Sequence, residues 1–90
     1  MNATQIIDRT RAYVAENFLY MRPDFQLGDA DSLLERGIID SMGVMELVSF
    51  IESEFNVTVG DDDVTEENIG SLRAIGGFVS SRTRRDQMVA

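Results

Sequence analysis

Residues 41–55 constrain the fold more than any other segment. This run has no proline and a single glycine, Gly43. Each residue of a helix advances about 100° around its axis. On that wheel Val44, Leu47, Val48, Ile51 and Phe55 share one arc of roughly 100°, the width of a core-facing stripe. Ser41, Met42, Met45, Glu46, Ser49, Glu52 and Ser53 fall on the opposite side. The pattern is that of an amphipathic helix, predicted over Ser41 to Phe55. Asp40 is suited to cap its start and Asn56 to close it.

Helical signals recur on both sides of this segment. Asn2 with Gln5 forms a capping-box pair. Behind it Ile6, Ile7, Val14 and Phe18, bridged by Thr10 and Arg11, give an approximate apolar stripe. Pro23 is expected to stop that helix, because the residue before a proline is pushed out of the helical region. Residues 21–40 then read as a long loop. Within it Ser32-Leu33-Leu34-Glu35 predicts one short turn ended by Gly37. A second loop, Val57 to Thr65, carries Gly60 and three aspartates. Thr65 is expected to cap a short helix through Ile69, and Ser71 a last helix through about Ser81. Leu72, Ile75, Phe78 and Val79 line that helix, while Gly76 and Gly77 weaken it by up to about 1 kcal/mol each. The tail 82–90 is expected to fray. Val57-Thr58-Val59 is too short, and too isolated, to make a sheet. The expectation is an all-α bundle of three main helices and one short one, a single domain over residues 1–90 with its core in about 2–81.

Composition removes many functions. The chain has no Cys and no His, so thiol nucleophiles, disulfides, thiolate metal sites and imidazole general bases are all absent. Glu52 and Glu54 are two apart on a helix and point in different directions, which rejects them as a catalytic pair. Asp61-Asp62-Asp63 lacks the glycine and the distal acid of a calcium loop: Glu66 and Leu72 stand at those places. No catalytic residue and no metal site is therefore expected. The formal net charge is −8, and nine acids with no base lie between Arg36 and Arg73. Such a field disfavours nucleic acid and anionic membranes and attracts basic partners. No run approaches the length of a membrane span, and the first residues lack a signal-peptide pattern. A cytoplasmic monomer is the expectation.

One place stands out chemically. Ser41 opens the central helix, where backbone N–H groups lack helical partners and the helix dipole adds partial positive charge. A phosphate esterified there would be well placed. Asp40 beside it would order the helix start and offer an acid to a basic enzyme. Met42 and Met45 add adaptable apolar contacts on the same side.

These residues also resemble a known family. Asp40-Ser41-Met42 is similar to the Asp-Ser-Leu/Met signature of acyl and peptidyl carrier proteins. The lead-in Gly37-Ile38-Ile39 resembles theirs. So do Met45-Glu46-Leu47-Val48, Ile51-Glu52, Glu54-Phe55, the acidic loop at 61–63, and Asn68-Ile69-Gly70-Ser71-Leu72. The resemblance spans nearly the whole chain and is strongest from Leu33 to Phe78.

It implies a carrier without an active site. Phosphopantetheine from coenzyme A would be attached to Ser41 by a phosphopantetheinyl transferase, with Asp40 as helix cap and transferase contact. The cargo, an acyl group held as a thioester, would be loaded by a ligase and passed to downstream synthase enzymes through basic docking patches. Met42, Met45, Glu46, Ser49 and Glu52 would form the partner-binding face. An aminoacyl or peptidyl cargo, including a D-alanyl one activated by an adenylating ligase, is the alternative within the family. A plain acidic interaction module without prosthetic group is the alternative outside it. Gly43 and Ser53 stand where fatty-acid carriers often have acids, which weighs against central fatty-acid synthesis.

Overall fold

The computed structural model describes the backbone of residues 1–22 and 24–88, and the side chains of that set as far as Thr83. Four α-helices follow one another: α1 (Ala3–Asn17), α2 (Ser41–Phe55), α3 (Glu66–Ile69) and α4 (Leu72–Met88). A single 3₁₀ turn over Asp61–Asp63 precedes α3. Among the described residues there is no strand. The expected all-α bundle with a long first loop is what forms.

Local chemistry sets most of the boundaries. Asn2 Oδ1 accepts the N–H of Gln5, and Gln5 Oε1 accepts the N–H of Asn2, both at 2.9 Å. Asp40 caps α2 through Gly43 N–H at 2.8 Å. Asn56 ends α2 in the left-handed conformation at φ 55°, which an asparagine tolerates better than most residues. Thr65 caps α3, and Ser71 Oγ accepts the N–H of Ala74 at the start of α4.

Two ends differ from expectation. Helix α1 stops at Asn17, well before Pro23, which lies outside the described residues. Val14 O accepts both Phe18 N–H and Leu19 N–H. The chain thus leaves the helix where Leu19 turns into the core. Helix α4 runs on to Met88 instead of ending near Ser81. Nothing after Ser81 compels a stop, because no glycine or proline follows it. Residues 89 and 90 of the expected tail lie outside the described residues.

The core joins Ile6 and Val14 of α1, Leu47 and Ile51 of α2, Ile69 of α3, and Leu72, Ile75 and Val79 of α4. Among the described residues Thr10 is the one polar residue fully inside it, and its hydroxyl donates to Ile6 O at 2.8 Å. Burying a hydroxyl is tolerable only with such a partner.

The long loop is pinned at several points. Leu33 is fully buried; its N–H donates to Gly70 O at 2.9 Å, and its carbonyl accepts Ile38 N–H at 2.9 Å. Arg11 of α1 donates to Leu27 O and pairs with Asp29, whose carbonyl in turn accepts Arg73 N–H. Gly37 makes the final turn at φ 70°, a value that suits glycine. These anchors deliver the chain in register to Asp40 and Ser41.

Candidate functional site

Ser41 is exposed and is the first residue of α2. The N–H groups of Ser41 and Met42 lie at the helix start, where no carbonyl of the helix precedes them. The Asp40 carboxylate is folded onto Gly43 N–H, so its cap leaves those two groups available. The serine hydroxyl therefore stands in the open, at the positive end of a helix dipole.

The faces of α2 divide as the wheel predicts. Leu47, Val48, Ile51 and Phe55 are buried, while Val44 is partly buried. Met42 and Met45 are 78% and 60% exposed, which settles that they serve the surface and not the core. Glu46, Ser49 and Ser53 are exposed. Glu46 has no ion pair among the described residues. The hydroxyl, two methionines and Glu46 are thus presented from one helix.

Glu52 is a different case. It is partly buried, and its Oε2 accepts Val59 N–H at 2.9 Å. Grouped by sequence with the partner face, it is engaged in holding the loop after α2. Of the other acids, Glu54 pairs with Arg9 at 2.6 Å and Asp63 with Arg82 at 3.1 Å. The acidic loop 61–63 is shaped by Asp63 accepting Gly60 N–H. Among the described residues, no cluster of three or more acids is arranged to hold a metal ion.

The wheel missed a third face. Gly43, Phe50 and Glu54 lie between roughly 180° and 220° on it, beside the core arc. All three meet α1. Phe18 packs on Gly43, Tyr13 stacks on Phe50 with ring centroids 4.1 Å apart, and Arg9 pairs with Glu54. The α1 numbers fall as the α2 numbers rise, so the two helices run antiparallel along this seam. Tyr13 also donates its hydroxyl to Glu46 O at 3.3 Å. Burial first, and the nearby Glu46 charge second, push the Tyr13 phenol above its ordinary value. No local pattern in the sequence marks this seam, because its partners lie on two separate helices.

Beside α2 and α3 lies a small apolar cavity of about 90 Å³, lined by Leu33, Ile39, Val44, Val64 and Ile69 among others. No helix among the described residues is long and apolar enough to cross a membrane.

Comparison with known proteins places this geometry in context. The model of the phosphopantetheine attachment site family matches residues 10–79, a span that runs from α1 into α4 and includes Ser41. A D-alanyl carrier protein from Streptococcus suis (strain 98HAH33) is 46% identical over 57 residues, 63% of this chain and 71% of the relative. Its counterpart in strain 05ZYH33 is 44% identical over 57 residues, with the same coverage. With a family match over most of its length and a helical fold of the expected kind, this chain belongs to the acyl carrier protein family, whose members are non-catalytic and bear a covalent phosphopantetheine.

Proposed function

We propose that Ser41 is the attachment point, and that the cargo is an aminoacyl group of the D-alanyl kind. The exposed hydroxyl at the first residue of α2 carries the first half of this reading. The residues fit the group: Ser41 is exposed, the Asp40 carboxylate is turned onto Gly43 N–H, and the N–H groups at the helix start would favour a phosphodiester's charge. In the attachment step Ser41 Oγ would bond to the pantetheine-side phosphorus of the coenzyme A diphosphate, and the phosphoanhydride bond to the adenosine side would break. The hydroxyl proton would pass to a base of the transferase, and adenosine bisphosphate would leave. When bound, phosphopantetheine supplies the thiol that this chain lacks, and so a thioester linkage for the cargo.

The protein's own residues do the remainder. Asp40 orders the helix start, and Met42, Met45, Glu46 and Ser49 greet transferase, ligase and acceptor enzymes. Met is suited to several partners in turn because its side chain adapts. Glu46 favours basic patches on those enzymes.

One observation supports an aminoacyl over a long-chain acyl cargo: the relatives reported above are D-alanyl carriers. The test is loading of the phosphopantetheinylated chain with ATP and either a D-alanine-activating ligase or a fatty-acyl ligase. Transfer of D-alanine at the higher kcat/KM supports the reading; efficient fatty-acyl loading with no D-alanine transfer overturns it.

A further inference from the structure

The point where α1 meets the start of α2 is built around a missing side chain. Gly43 is buried although it lies on the helix that presents Ser41. A Cβ placed on it would stand 3.1 Å from Phe18 Cε1, 3.1 Å from Ile39 Cβ and 3.4 Å from Asp40 Oδ1. Gly43 N–H is also the donor that Asp40 caps. Three parts of the site therefore converge on one glycine: the end of α1 through Phe18, the lead-in loop through Ile39, and the cap through Asp40. Glycine in a helix is unfavourable by about 1 kcal/mol relative to alanine. Its presence in the first turn of α2 calls for a compensating role, and the packing of Phe18 on the bare backbone supplies one.

We propose that the Phe18–Gly43 contact is a positioning device for the modification site. Resting on the assignment of Ser41 above, it holds the first turn of α2 against α1, so that Ser41 and Asp40 keep a fixed orientation towards an incoming transferase. The effect is on the rate of arming and not on the stability of the bundle. A side chain at residue 43 pushes the ring and the loop apart by a few tenths of an ångström. Errors of that kind at a reacting group lower turnover more than they lower encounter.

Gly43→Ala, Phe18→Leu and the double variant, each with wild type and Ser41→Ala, make the test. Initial rates of phosphopantetheinylation with coenzyme A and a transferase are measured beside thermal melting and the proton shifts of Gly43 Hα. In wild type those Hα resonances should show the ring current of Phe18. Gly43→Ala is expected to lower kcat about tenfold, with KM changed less than threefold and the melting transition intact. Phe18→Leu in the Gly43→Ala background should recover part of the lost rate, because the smaller side chain relieves the Phe18 side of the crowding while Ile39 Cβ stays 3.1 Å from the added Cβ. If Gly43→Ala fails to fold, Phe18→Leu alone decides: a slowed kcat with an intact melt supports the device, and an unchanged kcat overturns it. Equal rates for Gly43→Ala and wild type, or no recovery in the double variant, overturn it too while leaving Ser41 as the anchor. Absence of Ser41-dependent modification in wild type refutes the reading beneath it as well.

Discussion

Phe50 of α2 lies flat against Tyr13 of α1, with ring centroids 4.1 Å apart and planes 13° from parallel. Phe18 and Phe55 close the stack at either side in edge-on contacts. The Tyr13 hydroxyl remains hydrogen-bonded to Glu46 O, close to the Glu46 charge. Burial chiefly, and that charge in addition, raise the phenol above its ordinary value of 10.0. The native chain thus holds this proton longer than the unfolded chain does. Stability from Tyr13 is full below pH about 10 and declines as pH rises from there through the folded value. A Tyr20→Phe variant leaves Tyr13 as the sole tyrosine, and its absorbance titration should have a midpoint above 10. Glu46→Gln should lower that midpoint only in part. A midpoint at or below 10 contradicts the assignment.

Asp40 caps α2 and, in the function proposed above, meets the transferase; substitution separates the two. Asparagine keeps the cap on Gly43 N–H and removes the charge; alanine removes both. Asp40→Ala should destabilise by about 1 kcal/mol, read by denaturant unfolding, and Asp40→Asn by no more than a few tenths. Both should slow phosphopantetheinylation at low salt, with the loss shrinking as salt is added; an unchanged initial rate for Asp40→Asn contradicts a charge contact with the transferase.

Glu46 and Glu52 sit on one helix face and should behave differently. Glu46→Arg is expected to reduce transferase kcat/KM about tenfold at low salt, with the effect shrinking as salt screens the charge, and to leave stability unchanged. Glu52→Ala strips the acceptor from Val59 N–H and should cost about 1–3 kcal/mol of stability. Unfolding curves beside salt-dependent kinetics distinguish the two.

Adjacent glycines of α4 should respond with opposite signs. A Cβ on Gly76 would stand 2.8 Å from Ile7 Cγ1 and 3.2 Å from Ala3 O, whereas nothing lies within 4 Å of one on Gly77. Gly77→Ala should stabilise by up to about 1 kcal/mol. Gly76→Ala forces α1 and α4 apart, and overpacking of about 1–3 kcal/mol outweighs the same propensity gain. Thermal melting of the two variants measures both.

These contrasts also mark what could be read from residues alone. Caps and apolar period define α2 to the residue, because Asp40, Asn56 and the stripe from Val44 to Phe55 act locally. The exposure of Met42 and Met45 follows from the same wheel. The end of α1 does not, because it is set by Leu19 reaching a core assembled from distant segments. Gly43, Gly76 and Gly77 look alike in sequence, yet one receives Phe18, one receives Ile7 and one faces open space. Glu52 resembles Glu46 until the loop carrying Val59 folds back on it. These misses turn on partners that the fold brings together, which no local pattern encodes; the run of α4 past Ser81 differs, since no glycine or proline marks an end there.

Intact-mass spectrometry after incubation with coenzyme A and a promiscuous phosphopantetheinyl transferase goes to the centre of the account. Wild type should gain the mass of one phosphopantetheine, mapped by fragmentation to Ser41, and Ser41→Ala should gain none. An unmodified wild type across several transferases, or a modified Ser41→Ala, would contradict it.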